Sequence, residues 1–139
     1  MSHSKVNYHY CTVEDVELFY RTAGDNTKPA ILLLHGFPSS SHMFRDLIPE
    51  LANVFYVIAP DYPGFGQTKA PGRDKFDYTF EHLTDIVEAF TQKLNLKHFA
   101  LYVFDYGAPI GFRLAMRHPE RITAIVSQNG NVYREGLGK

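Results

Sequence analysis

The segment Phe99-Ala100-Leu101-Tyr102-Val103-Phe104 constrains this chain more than any other. Six apolar or aromatic residues follow one another without a charge, so neither face of the segment is built for water. Such a run reads as a strand buried on both faces, the way strands of a parallel sheet lie between layers of helix. Asp105 ends it abruptly, and Gly107 and Ala108 follow. A helical pattern then begins with Ile110, Leu114 and Ala115, and His118-Pro119 stops it. The segment therefore predicts a strand that turns sharply into a helix with a carboxylate at the corner. Small residues behind such a corner let the helix start close to the strand. They push the corner side chain outward and aim backbone N–H groups into the same space. Aspartate is also among the best helix N-caps. On this stretch alone, Asp105 stays open between a cap and a reactive group.

The remaining elements place that corner in a sheet. Tyr8 to Thr12 alternates weakly, Val13 to Asp15 turns, and Val16 to Thr22 forms a second strand, with Gly24-Asp25-Asn26 as a turn cluster behind it. Ala30 to Leu34 is a short continuous apolar run, hence a buried parallel strand, and it delivers His35-Gly36-Phe37-Pro38. Ser39-Ser40-Ser41 can cap a following helix whose Phe44, Leu47, Ile48 and Leu51 share one apolar face. Phe55 to Ala59 is the next strand and ends in the tight loop Asp61-Tyr62-Pro63-Gly64-Phe65-Gly66. Beyond the charged loop Lys69 to Asp77, Thr79 can cap a helix bearing Leu83, Ile86, Val87, Phe90 and Leu94. After the corner and its helix, Ile122 to Val126 is a further strand. Strands alternating with crossovers of helical length mean an α/β fold with a parallel sheet. A length of 139 residues fits one domain with a real core. Met1 to Asn7 is polar and reads as a frayed terminus.

In open parallel sheets the working site lies outside the carboxyl ends of the strands. Three unusual loops fall there: His35 to Ser41, Asp61 to Gln67, and Asp105 to Gly107. Their convergence supports a reactive role for Asp105. Other chemistries find little support. The glycines at 64 and 66 lack the third glycine of a dinucleotide fingerprint and do not open a helix, and no P-loop pattern is present. The seven histidines show no H-x-x-x-H pair and have no cysteine partners, so neither a metal nor a cofactor is expected. A net charge of −1 gives no electrostatic reason to bind nucleic acid or an anionic membrane. Cys11 is a lone cysteine, and the chain shows no signal peptide and no long apolar span, so a cytoplasmic protein is expected.

Taken in order, His35-Gly36-Phe37-Pro38, Asp61-Tyr62-Pro63-Gly64-Phe65-Gly66 and Val103-Phe104-Asp105-Tyr106-Gly107 resemble the successive landmarks of the α/β-hydrolase superfamily. Their order and spacing resemble its members with an aspartate nucleophile, the epoxide hydrolases and haloalkane dehalogenases, over roughly Tyr8 to Gly130. The resemblance implies Asp105 as the nucleophile, in place of the serine of G-x-S-x-G. It implies the backbone N–H groups of Phe37 and Tyr106 as an oxyanion hole. His35, Gly36, Pro38 and Gly107 would shape the loops, with His35 bracing its loop by hydrogen bonds and Pro38 following a cis bond. Residues 8–139 then read as the N-terminal part of one such core domain, ending before the cap and the last strands, and residues 1–7 as a disordered N-terminus.

An aspartate at the corner suits attack on a saturated carbon, which leaves an alkyl ester on the enzyme. Haloalkane dehalogenases often carry Asn after His-Gly and Trp after the nucleophile, where side-chain N–H groups hold the halide. Phe37 and Tyr106 stand at those positions here, which shifts the expected substrate toward an epoxide or another small apolar electrophile. The family's acid and catalytic histidine follow the nucleophile in chain order; Asn129 stands near a position where some dehalogenases have the acid. The expectation is therefore an inactive or single-turnover protein, unless His35 or His42 serves as an improvised base. A non-catalytic binding or oligomerisation module on the same shell is the alternative. The strand Ile122 to Val126 is expected at a sheet edge, which predicts a homodimer or swapped oligomer.

Overall fold

The computed structural model describes residues 5–36, 40–69, 79–104 and 107–128. Six strands form one sheet: β1 (Asn7–Val13), β2 (Val16–Ala23), β3 (Ala30–Leu34), β4 (Tyr56–Pro60), β5 (Phe99–Phe104) and β6 (Ile122–Gln128). Their order across the sheet is β1-β2-β4-β3-β5-β6. The pairs β4–β3, β3–β5 and β5–β6 are parallel. The β1–β2 hairpin is antiparallel and joins the sheet antiparallel to β4. The sheet is thus mostly parallel, with an antiparallel flap at one side, as expected for an α/β fold with a leading hairpin. β1 starts one residue earlier than the sequence pattern suggests, because Asn7 pairs with Thr22; residues 1–4 lie outside the described residues.

Helices α2 (Phe80–Lys93) and α3 (Gly107–Arg117) pack together on one face. The Thr79 hydroxyl accepts from the His82 N–H at 3.0 Å and caps α2, and Leu83, Ile86, Val87 and Phe90 turn inward. Asn95, at φ 59°, ends that helix in the left-handed conformation that asparagine tolerates. On the surface Arg117 of α3 reaches Asp85 and Glu88 at 2.8 Å and Glu81 at 3.0 Å, all on α2. The inner core on this side joins Leu32, Leu34, Ile58, Leu101 and Val103 of the sheet to Ile110 and Leu114 of α3.

On the other face the structure breaks an expected element. Phe44 to Leu51 is two short pieces, a 3₁₀ turn (Ser41–Phe44) and α1 (Leu47–Leu51), instead of one helix. Pro49 explains the break. A proline lacks the N–H that would bond back one turn, and its ring crowds the carbonyl four residues before it, so it is tolerated only in a helix's first turn. The apolar face survives the break: Phe44 and Ile48 are buried against Ile31, Leu33, Val57 and Ala59. No helix among the described residues is long and apolar enough to cross a membrane.

Candidate active site

The carboxyl ends of β3, β4 and β5 meet at one end of the sheet. β3 and β5 are neighbours in register, with Leu34 opposite Val103, so His35 and the corner after Phe104 leave the sheet side by side. β5 ends at Phe104 and α3 begins at Gly107, which leaves two residues for the turn between strand and helix. Gly107 is what lets α3 start so close to β3. A Cβ built on it would lie 2.3 Å from the Leu34 carbonyl oxygen and 2.8 Å from the carbonyl carbon. At Gly111, one turn on, an added Cβ would lie 2.5 Å from the Val103 side chain. The small residues behind the corner thus hold the start of α3 against β3. Asp105, Tyr106, Phe37 and Pro38, four of the residues singled out from sequence, lie outside the described residues.

His35 is fully buried. Its Nε2 accepts the backbone N–H of Tyr62 at 3.1 Å. A backbone N–H can only donate, so Nε2 carries no proton and Nδ1 does. Nδ1–H donates to the Gly36 carbonyl at 2.8 Å. Burial pushes the imidazole pKa down to about 4, against the smaller opposing effects of the Gly36 carbonyl and the negative Asp61. The ring is therefore neutral near pH 7, with both nitrogens committed to backbone. It also lies against Tyr62, with ring centroids 4.0 Å apart, and edge-on to Phe65. Among the described residues the buried Tyr62 hydroxyl has no hydrogen-bond partner, and burial raises its pKa well above the ordinary phenol value.

This burial gives stability a pH dependence whose sign is fixed. The folded-state value lies below the ordinary 6.5, so the unfolded chain takes up the proton first as pH falls. The contribution is complete above pH 6.5, is lost as pH falls toward about 4, and levels off below; its size is about 3 kcal/mol. Urea midpoints measured across that window should fall more steeply for the native chain than for His35→Gln, which has no proton to gain there. Parallel curves would contradict the assignment.

Asp61 is the residue whose role the sequence pattern did not reveal. It follows β4, is 1% exposed, and holds two loops at once. Oδ1 accepts from the Ser41 N–H at 2.7 Å and Oδ2 from the Gln67 N–H at 2.9 Å. Its backbone N–H donates to the Phe19 carbonyl, and its carbonyl accepts from the Thr68 hydroxyl. Gly66, at φ 56°, passes so near that a Cβ there would lie 2.1 Å from Oδ2. Arg21 completes the arrangement. Its Nε donates to the Ser41 hydroxyl at 2.8 Å, and its guanidinium lies over the rings of Tyr8 and Phe19. The serine triplet read from sequence as a helix cap therefore divides its work. Ser40 accepts from the His42 N–H and caps the 3₁₀ turn, while Ser41 joins Arg21 to Asp61. A carboxylate placed directly after the apolar strand Val57-Ile58-Ala59-Pro60 was the available signal. His42 lies exposed on that 3₁₀ turn. Among the described residues no group of three His, Cys, Asp or Glu could hold a metal ion.

A sequence model of the alpha/beta hydrolase fold matches residues 29–136. An uncharacterised hydrolase of Saccharomyces cerevisiae is 51% identical over 138 residues, covering 99% of this chain and 47% of the yeast protein. A haloalkane dehalogenase of Psychrobacter cryohalolentis is 34% identical over 127 residues, 87% of this chain and 42% of its own length. Among solved structures, haloalkane dehalogenase DbeA from Bradyrhizobium elkani superposes with a TM-score of 0.86 at 30% identity, over 91% of this chain and 42% of that one. An epoxide hydrolase of Vigna radiata does so with a TM-score of 0.81 at 30% identity, over 88% and 38%. The chain thus spans less than half the length of these relatives. Matched over most of its length by the family's sequence pattern and by the fold of solved members, the chain belongs to the α/β-hydrolase family.

Proposed function

We propose that this chain carries the nucleophile-bearing part of a hydrolase site akin to those of haloalkane dehalogenases and epoxide hydrolases, with Asp105 as the nucleophile. The observation that carries the reading is the close approach of Gly107 to Leu34, which seats the start of α3 directly beside the end of β3. That is the setting of a nucleophile elbow, where the corner residue is presented to the loop after the neighbouring strand. An Asp105 oxygen attacks a saturated carbon of a small apolar electrophile. The carbon–halogen bond breaks and the halide leaves, or an epoxide C–O bond breaks and its oxygen takes a proton from water. Either route leaves an alkyl ester on Asp105. Backbone N–H groups of Phe37 and Tyr106 would stabilise the oxyanion that forms when water later attacks the ester carbonyl. Neither side chain offers an N–H for a halide, which favours the epoxide.

Hydrolysis of that ester needs a base. His35 is poorly suited, because its only unprotonated nitrogen already accepts the Tyr62 N–H. For these 139 residues by themselves the reading is therefore that the ester forms and is held, one turnover per chain. The same observation favours a second reading, a binding module on a hydrolase shell. Intact-mass measurement after exposure to styrene oxide, and separately to 1-bromobutane, distinguishes the two. The expected result is one adduct per chain, mapped to Asp105 by peptide sequencing and absent from Asp105→Asn. Absence of any adduct, with ligand binding unchanged in Asp105→Asn, would establish the binding module instead. Sustained turnover that disappears in His42→Ala would show an improvised base and overturn the single-turnover reading.

A further inference from the structure

We propose that Met43 is a modification site: hydrogen peroxide converts its thioether to the sulfoxide, and the change unties the 3₁₀ turn from the end of β3. Met43 lies in that turn, Ser41–Phe44, half-buried against the apolar cluster of Ile31, Phe44 and Ile48. Its sulfur accepts the backbone N–H of the buried Gly36 at 3.4 Å. Among the described residues that sulfur is the only acceptor the Gly36 N–H has. The Gly36 residue is thus held from two sides, its carbonyl by the Nδ1–H of His35 and its N–H by Met43. The first holder is inert to mild oxidants. The second is a thioether, a weak acceptor and one of the side chains that peroxides alter most readily.

Met43 also lines a cavity of about 470 Å³, with His42, Arg45, Gly64 and Phe65 on its walls. The cavity lies between the segments that follow β3 and β4, on the β4 side of β3, with β5 standing between β3 and β6. It admits hydrogen peroxide, a molecule little larger than water. A sulfur lone pair attacks one peroxide oxygen and the O–O bond breaks. The proton of the attacked oxygen passes to the leaving hydroxide, which departs as water. The sulfur is oxidised by two electrons and the peroxide is reduced by two. N–H groups of His42 and Arg45, on the same cavity wall, are donors for the departing oxygen. The product does not fit the present contact. A sulfoxide oxygen pointed at Gly36 needs about 2.9 Å to the nitrogen in addition to its own bond to sulfur, more than the 3.4 Å available. Turned into the cavity instead, it leaves a positively polarised sulfur that no longer accepts the N–H. Either way the bond between Gly36 and Met43 is lost.

The proposal is independent of the role of Asp105, and its test reads the Gly36 amide directly in the full 139-residue chain. Hydrogen peroxide should add one oxygen to Met43, located by peptide mass mapping. In NMR-detected hydrogen exchange the Gly36 amide of the treated protein should exchange about tenfold faster, as expected for one lost acceptor. Methionine sulfoxide reductases should restore the slow exchange. Met116 on α3, 83% exposed, will be oxidised as well and supplies the control. Met116→Leu should keep the response of Gly36 to peroxide. Met43→Leu, a swap of similar volume that packed cores tolerate, should exchange fast before treatment and show no change after it. Three results would overturn the proposal: Met43 left unmodified while Met116 is fully converted, Met43 converted with Gly36 exchange unchanged or slowed, or a response that disappears in Met116→Leu.

Discussion

Gly107→Ala should cost about 2–4 kcal/mol of stability, a large loss for the addition of one methyl group. The added carbon would lie 2.3 Å from the Leu34 carbonyl oxygen, 2.8 Å from its carbon and 3.0 Å from the Leu34 Cβ. Two of these neighbours are backbone of a strand hydrogen-bonded on both sides, to β4 and β5. No rotamer change relieves the contact, so α3 has to move away from β3. Urea denaturation reads the loss directly. A second effect follows at the corner. Displacing a reacting group by about 1 Å typically costs about a hundredfold in rate, so ester formation on Asp105 should slow by that order even where the variant is fully folded. A variant with native stability and a native adduct rate would show that α3 does not need its present approach to β3.

Asp61→Ala should be destabilising by about 3–5 kcal/mol, for a different reason. The substitution leaves the Ser41 and Gln67 N–H groups without their charged acceptor, and the cost of an unmade buried hydrogen bond exceeds the gain from making it. Asp61→Asn separates acceptor from charge. Its oxygen can serve one of the two N–H groups, while its NH₂ is set against the other donor, so roughly half the loss should persist. Gly66 packs too close to Asp61 for a larger residue to compensate. The effect should also show as loss of protection of the Ser41 and Gln67 amides in hydrogen exchange. Slow exchange retained at both amides in Asp61→Ala would mean that other groups hold these loops.

The fold was legible where burial leaves a pattern in one dimension. The uninterrupted apolar runs at residues 30–34 and 99–104 read as buried strands, and strands they are, with only Ala30, Tyr102 and Phe104 half-buried. The cap at Thr79 and the inward face of α2 follow from local chemistry and helical period alone. The helix expected through Phe44 to Leu51 failed because its apolar spacing is satisfied equally by two pieces that keep the same side inward. Pro49 was the local sign that periodicity outweighed. The candidate site was less legible. Motifs marked the loops, but the bonds that fix them join residues far apart in sequence, such as Arg21 with Ser41 and Ser41 with Asp61. No periodicity encodes such pairs. Asp61 stood inside a recognised loop motif, yet nothing in the sequence told which backbone groups its two oxygens would meet.

The shared register of β3 and β5 has a consequence for how such a site can change over time. Two loops that leave adjacent strands at the same level are separated by the repeat of the backbone hydrogen-bond ladder, about 4.8 Å. That separation is a property of peptide groups and is indifferent to which apolar side chains fill the layers above and below. Sequence drift through the interior can therefore be extensive while the gap across which chemistry would occur stays the same width, and new reactivity can be tried at the rim without recalibrating the frame beneath.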